Sequence, residues 1–332
     1  MSNEFFMQLA INEAFKYIFV TYPNPAVGAV VVKEGAIVGI GAHQRVGTSH
    51  AEVVALLNAY EHVSGQKIEF EKTNAQEAHK FLEDKKDIFK ECEIYVTLEP
   101  CSHEGKTPSC AKLISRLQLK KVYIGSKDPI ASHSGGIEIL KQASIEVEEG
   151  VLKNECDTLL EPFVIWQKRA FVLFKLAQTT NGKIGGGYIS SKESLEHVHK
   201  IRAVASKLVI GGNTVRVDRP TLDCRFINAK APDIYIYSKQ DNFDRAIPLF
   251  KVSNRSVEIG DNLDFLKEKG LILVEGGEGM LKAMQKYIDW LLIFQAPKLS
   301  KNSLSYNIDS NLEFVHIDKN STDLIIWSRY LG

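Results

Sequence analysis

Thr97-Leu98-Glu99-Pro100-Cys101-Ser102-His103-Glu104-Gly105-Lys106-Thr107-Pro108-Ser109-Cys110 is the stretch on which the reading of this chain turns. Ile94 to Leu98 predicts a strand that stops at Glu99-Pro100, and Pro108 to Leu117 predicts a helix. Cys101 therefore follows a strand and Cys110 opens a helix. Upstream, His50-Ala51-Glu52 begins another predicted helix, His50 to Tyr60, with Ser49 as the candidate N-cap. One imidazole and two thiolates make a three-ligand set for zinc. The fourth tetrahedral position is left to water, which separates a catalytic zinc from a closed structural one. Helix N-termini add positive dipole and favour the thiolates. Glu52 is not needed as a ligand; beside the metal it can take a proton from water and hand it to a leaving amine.

His-x-Glu followed by Pro-Cys-x-x-Cys is the arrangement of zinc deaminases. Here eight residues, not two, separate Cys101 from Cys110. Alone, a His-x-Glu is common, and paired buried cysteines are frequent. Together, each at the end of an element with Pro100 in place, they specify catalytic zinc. Cys92, Cys156 and Cys224 lack such company and read as small packed residues.

Working outward, residues 4–20 predict a helix ended by Tyr22-Pro23-Asn24-Pro25. Val27 to Val32 and Ala36 to Ile40 predict a hairpin turned at Lys33-Glu34-Gly35. Residues 61–92 are rich in Glu and Lys and read as an insertion, with Phe81, Ile88 and Phe89 marking a surface helix. Lys121 to Gly125 predicts a strand, Ile137 to Ala143 a helix and Ile145 to Glu148 a short strand. A hairpin followed by alternating helices and strands implies a layered α/β sandwich. A connecting helix, 151–168, leads to a second strand-rich section. Strands are predicted there at Phe171 to Ala177, Lys207 to Ile210, Ile234 to Tyr237, Leu271 to Val274, Leu291 to Gln295 and Leu324 to Trp327. Helices are predicted at 192–204 and 280–288.

The 332 residues suit two domains, 1–168 and 169–332. Lys+Arg and Asp+Glu both number 41, so no basic surplus recommends nucleic acid as a partner. The start of the chain lacks a secretory pattern and no apolar run reaches membrane-spanning length. Five widely spread cysteines do not make a disulfide framework. The expectation is a cytoplasmic protein with no membrane partner.

The stretch from Thr97 to Cys110, with Pro23-Asn24-Pro25-Ala26-Val27-Gly28 and His43-Gln44-Arg45 leading to His50-Ala51-Glu52, resembles the bifunctional deaminase–reductases of riboflavin biosynthesis. The resemblance implies a cytidine-deaminase-like first domain that removes the ring amino group of a diamino-hydroxy-pyrimidine carrying a phosphoribosylamino group. It implies His50, Cys101 and Cys110 as zinc ligands, Glu52 as proton shuttle, and Asn24 on the pyrimidine. His43, Lys106 and Thr107 fall on the ribose-phosphate side.

The second half resembles the family's dihydrofolate-reductase-like domain, in which NADPH reduces the ribose to ribityl. The match is carried by Lys175-Leu176-Ala177-Gln178-Thr179-Thr180-Asn181-Gly182, His199-Lys200-Ile201-Arg202, Gly211 to Leu222 with Arg225, and Val274-Glu275-Gly276-Gly277. The resemblance implies Gln178, Tyr188, Thr214, Asp218, Gly276 and Gly277 at the cofactor, and Arg202, Leu222, Arg225 and Glu275 at the substrate. Gly276, Gly277 and Gly279 precede a helix, whose free N–H groups suit phosphate. Arg202 and Arg225 suit a bidentate phosphate clamp. The resemblance further implies a homo-oligomer formed through the reductase domain. Three departures stand out: the long segment 61–92, Asn181 in place of Asp, and Arg219 beside Asp218. Three rival readings are a deaminase of free or RNA bases, a single-function deaminase with a decayed second half, and a non-enzymatic zinc-stabilised interaction protein.

Overall fold

The computed structural model describes residues 1–105, 107–130, 134–185 and 187–332. The chain divides into two units, Met1–Val164 and Ile165–Gly332. The division falls inside a helix, just ahead of the boundary expected at 168.

The first unit runs α1 (Asn3–Phe15), β1 (Gly28–Lys33), β2 (Ala36–Ala42), α2 (Ala51–Ser64), α3 (Ala75–Leu82), α4 (Lys86–Phe89), β3 (Cys92–Leu98), α5 (Cys110–Leu117), β4 (Lys121–Ser126), α6 (Gly136–Gln142) and β5 (Glu146–Glu149), then enters α7 (Lys153–Trp166). Its sheet has the order β2-β1-β3-β4-β5. β1 is antiparallel to β2 and β3, and β3, β4 and β5 are parallel. Strand alternation sorts the core into two layers. Ala29, Val31, Ile94, Val96, Val122 and Ile124 join α2, α5 and α6 in one buried cluster. On the other face Tyr95 stacks on Tyr123 at 4.2 Å, and Phe6 of α1 packs against Tyr95.

The β1–β2 hairpin turns as its sequence requires. Glu34 and Gly35 both take positive φ, 51° and 78°, the turn geometry that matches strand twist. On β2, a Cβ at Gly41 would lie 2.4 Å from Ala55 N, so only glycine lets α2 sit directly on the strand. That contact fixes where the first turn of α2, and thus Glu52, stands.

Two expectations for this unit are corrected. α1 ends at Phe15, and the chain continues in turns through Thr21 with Phe19 at φ 67°. Ile18 and Phe19 are buried without being helical, so apolar spacing overran the helix. The segment 61–92 is helical at Phe81, Ile88 and Phe89 as expected, but in two helices packed into the core and not in one surface helix. α2 itself runs to Ser64 and stops at Gly65 in the left-handed conformation. α3 and α4 follow, and Ala78, Leu82 and Phe89 are wholly buried in the unit's core.

The second unit contains β6 (Ala170–Thr179), α8 (Lys192–Val204), β7 (Lys207–Gly211), α9 (Gly212–Asp218), β8 (Ile234–Tyr237), β9 (Val257–Gly260), β10 (Gly270–Glu275), α10 (Glu278–Met284), β11 (Trp290–Ala296), β12 (Leu312–Asn320) and β13 (Asp323–Tyr330). The sheet order is β12-β13-β11-β6-β10-β7-β8-β9. The strands from β11 to β9 are parallel, while β13 and β12 close one side antiparallel. β6 and β10 are largely covered on both faces, which is why β10 reads as a continuous apolar run and β6 as one broken only by Lys175 before Ala177. Lys175 and Glu275 are register partners near the carboxyl ends of these strands, where open α/β sheets place their sites. β9 and β12 went unread because both are half-exposed edge strands with charged residues among the apolar ones. Among the described residues no helix is long and apolar enough to cross a membrane.

Candidate active sites

In the first unit the end of β3 and the starts of α2 and α5 converge. His50 is the extended N-cap residue of α2, and its side chain makes no cap hydrogen bond. Ser49, the expected cap, instead has its hydroxyl buried without a hydrogen-bond partner. His50 Nδ1 lies 3.5 Å from Cys101 Sγ and 3.4 Å from Cys110 Sγ. All three donor atoms lie within 4.8 Å of one another. A tetrahedral zinc with ordinary Zn–N and Zn–S bonds needs its ligand atoms about 3.5 Å apart, so the donor set fits zinc in spacing as well as in chemistry.

The sulfurs carry the mark of an anion-holding site. The Cys101 thiol is pulled well below its ordinary value, first by hydrogen bonding with Cys110 and then by His50. Cys110 is pushed up by the same contact and by burial. The backbone N–H of Cys110, at the start of α5, donates to Cys101 Sγ at 3.4 Å. Burial raises the Glu52 carboxyl to about 7, and it stands next to Cys110. Its acidity therefore suits a group that both takes and returns a proton near neutral pH.

Thr107 Oγ1 lies 3.1 Å from His50 Nε2. With Nδ1 committed to a metal, Nε2 carries the proton and donates to this hydroxyl, fixing ring and tautomer. Thr107 was expected on the ribose-phosphate side; the structure puts it behind the histidine ligand. His43 likewise departs from that expectation. It is 3% exposed, and its ring meets that of His50 edge-on at 5.4 Å. Burial lowers it to about 4, so it is a neutral hydrogen-bonding group, not a cation for phosphate. His43 Nε2 lies 3.2 Å from Asn24 Nδ2, which places Asn24 at the same centre. Lys106 lies outside the described residues. Glu99, quoted without a role, is buried and accepts from the backbone of Gly135 at 2.9 Å and Ile137 at 3.2 Å, anchoring the start of α6.

In the second unit a cavity of about 290 Å³ is lined by Lys175, Tyr188, His199, Arg202, Leu222 and Arg225, among others. Arg202 is not free to clamp a phosphate. Its Nε and NH2 donate to the two oxygens of Glu275, both at 2.7 Å, and its NH1 donates to the Asp223 carbonyl at 3.2 Å. Burial alone would raise the Glu275 carboxyl; Arg202, and then Lys175, hold it down to about 2. Arg225 and Arg219 bring half-exposed guanidinium groups to the cavity lining, and Arg225 Nε donates to Asp223 at 2.7 Å. Tyr188 stands at the mouth against Phe226.

At the turn between β10 and α10, a Cβ on Gly276 would meet Met280 Cβ at 2.6 Å and Thr214 Oγ1 at 3.9 Å, so Thr214 and Gly276 are neighbours. Gly277 is the N-cap residue of α10. Gln178 and Gln295 sit side by side at the ends of β6 and β11. Asp218, at the exposed end of α9, is not seen bonded to the other cofactor candidates among the described residues.

Sequence reasoning missed Lys175. Its ammonium is lowered by burial, with Glu275 opposing. The signal was present: a lysine inside the apolar run Phe171 to Ala177, on a strand buried on both faces. His199 and Tyr306 were missed as well. His199 lines the cavity, and the Tyr306 hydroxyl donates to the Gly276 carbonyl at 2.9 Å.

Fold and centres together define a zinc deaminase joined to a second α/β enzyme unit. Residues 1–126 match the cytidine and deoxycytidylate deaminase zinc-binding region, and residues 170–323 match the RibD C-terminal domain. The chain is 34% identical to the riboflavin biosynthesis protein RibD of Aquifex aeolicus, over 90% of this chain and 88% of that protein. It is 39% identical to RibD of Actinobacillus pleuropneumoniae over 68% of this chain, an alignment spanning 56% of that protein. A crystal structure of a diaminohydroxyphosphoribosylaminopyrimidine deaminase/5-amino-6-(5-phosphoribosylamino)uracil reductase from Thermotoga maritima superposes with a TM-score of 0.66 at 28% identity, covering 98% of both chains. The chain belongs to the RibD family, the bifunctional deaminase–reductases of riboflavin biosynthesis. Deamination is the work of its first unit and reduction that of its second, so none of the three rival readings is favoured.

Proposed function

We propose that the first unit, within residues 1–168, deaminates a pyrimidine bearing a phosphoribosylamino group, the substrate in the Thermotoga maritima enzyme's description. The observation that carries this reading is the convergence of His50, Cys101 and Cys110 beside a buried carboxyl poised near neutrality. His50 Nδ1 and the two sulfurs would hold the zinc, which supplies Lewis acidity that brings proton loss from water toward neutral pH. Glu52 takes that proton at its carboxylate and delivers it to a ring nitrogen of the pyrimidine, then carries a second proton from the added hydroxyl to the amine, which departs as ammonia. Thr107 keeps His50 aligned, and Asn24, steadied by His43, orients the ring. Lys106 remains our candidate for the phosphate.

For the second unit, within residues 169–332, we infer reduction of the deaminated ribosyl compound with NADPH. Gln178, Tyr188, Thr214, Asp218, Gly276 and Gly277 are assigned to the cofactor, and Leu222, Arg225 and Glu275 to the substrate. Arg202 acts through Glu275, by holding it ionised. Lys175, an ammonium kept in a cavity beside that carboxylate, is the candidate proton donor to the sugar oxygen as hydride arrives at carbon. A cytoplasmic homo-oligomer is part of the proposal; the outer strand β12, with Phe314 and Ile317 exposed, is the surface that supports association.

A two-stage assay tests this. Zinc-loaded protein is given the phosphoribosylamino-pyrimidine, ammonia is followed, and NADPH is then added and its absorbance recorded. Ammonia followed by NADPH loss supports both units as read. Ammonia alone would withdraw the reductase assignment, and neither signal from folded, zinc-bound protein would withdraw the substrate.

A further inference from the structure

Residues 65–91 lie between α2 and β3 and have no part in the chemistry above. They are nonetheless tied to α2 and α5, the helices that begin at the deaminase centre. Lys72 Nζ donates to Asn58 Oδ1 at 2.7 Å and to Glu61 Oε2 at 2.6 Å, both on α2. Glu61 Oε1 accepts from Ile68 N at 2.9 Å, so the segment folds back along the helix toward its zinc-bearing start. The Phe81 ring stands edge-on to Tyr60 of α2 at 4.8 Å. Beyond α3, Glu83 pairs with Arg116 on α5, the helix that opens with Cys110.

The anchored segment ends on the backbone of the site. The carbonyl of Thr73, next to Lys72, accepts from Ser49 N at 3.0 Å. Ser49 precedes His50, and its own carbonyl lies 3.2 Å from His43 Nδ1. A carbonyl only accepts, so Nδ1 is the donor. Nε2 faces Asn24 Nδ2 at 3.2 Å, so Asn24 turns its NH2 group to His43 and keeps Oδ1 as an acceptor for an N–H of the pyrimidine. The sense of the Asn24 amide is thus linked, through His43 and the two peptide groups that flank the Ser49 Cα, to a carbonyl of the inserted segment.

We propose that residues 65–91 are a positioning element of the deaminase. Lys72 seats the Thr73 carbonyl, which holds the Ser49 backbone N–H; the Ser49 carbonyl, on the next peptide, holds His43 and through it the acceptor face of Asn24. The same segment ties together the two helices that bear His50 and Cys110. This inference rests on the deaminase reading of the first unit.

The test uses the full zinc-loaded chain, with Lys72→Met, Lys72→Arg and a replacement of residues 66–90 by a short Gly/Ser linker. KM and kcat for ammonia release, the rate of zinc loss to excess chelator, and thermal stability are measured. Misplacing an orienting group and loosening the shell behind metal ligands are each worth about tenfold or more. Lys72→Met is expected to raise KM about tenfold with a smaller change in kcat and to speed zinc loss about tenfold, with Lys72→Arg restoring most of both. Lowered stability with KM and zinc loss unchanged would show a purely structural brace and overturn the proposal. So would parent-like KM and zinc loss in both Lys72→Met and the linker variant; if the linker variant does not fold, the Lys72 pair decides. A parent chain that neither keeps zinc nor releases ammonia would sink the deaminase reading and this inference with it. A working parent with indifferent variants overturns the inference alone.

Discussion

The two centres are built on opposite electrostatic plans. In the first unit, three donor atoms and a carboxyl converge, with no lysine or arginine paired to them among the described residues, and the thiols divide a proton between them. In the second, Arg202 already neutralises Glu275 with two hydrogen bonds, and Lys175 stands beside them. The first is a set of lone pairs awaiting a cation. The second is an internally balanced ion cluster that sets the charge state of its members before substrate arrives. An unbalanced donor set announces itself in sequence by residue type. A balanced one hides, because each charge has a partner far away in the chain.

The comparison is sharpened most by Glu52→Gln. It should lower ammonia release about 10³-fold, the usual worth of a proton-transfer group, while zinc content and NADPH oxidation of the deaminated substrate stay put. Turnover near that of the parent would remove Glu52 from the mechanism. Next in size is Glu275→Gln, which leaves Arg202 buried without its anion. Breaking such a pair costs about 3 kcal/mol or more, to be read from urea unfolding of the second unit with the first-unit transition unmoved.

The same carboxyl predicts a pH dependence. Its folded value of about 2 lies below the ordinary carboxylate value of 4.5, so its contribution is complete above pH 4.5 and is lost as pH falls toward 2. The second unit of the parent should lose stability through that window, and Glu275→Gln should not show this component. An identical acid profile in both would break the contrast drawn here. Thr107→Val should weaken zinc binding about 10- to 100-fold in a chelator competition without touching the second unit. The smallest effect is expected from Asn181→Asp. Asn181 Nδ2 donates to the Ser300 carbonyl at 2.9 Å and its Oδ1 accepts from Ser300 N at 3.1 Å; an aspartate keeps the second bond but cannot make the first. The loss should be about 1 kcal/mol, seen in the melting of the second unit. An Asn181→Asp protein as stable as the parent would show that the hydrogen bond from Nδ2 to the Ser300 carbonyl contributes nothing net.

That asparagine also shows why a departure from a family pattern need not signal decay: it braces the loop that follows β6 against residue 300. Most strands and helices were legible, because buried parallel strands are continuous apolar runs and α2 and α5 begin at recognisable boundaries. The edge strands β9 and β12 were not, since half their side chains face water. His50, Glu52, Cys101 and Cys110 were legible as a donor set. The positions of His43 and Thr107 behind His50, and the engagement of Arg202 by Glu275, were not, because a residue type states what a group can bond to and not which partner folding brings within reach.

Residue types and their spacing determined the donor set and most of the elements, since ligand chemistry and apolar periodicity are local properties of the chain, while the division of labour between the two halves rested on the resemblance of their motifs to a known family. Only the tertiary structure decided the rest: the partner of each polar group, the role of residues 65–91 as part of the first core, and the burial that brings Glu52 near neutrality and Glu275 far below it. Those outcomes depend on distances across the fold and on the exclusion of water, which exist only once the elements have packed.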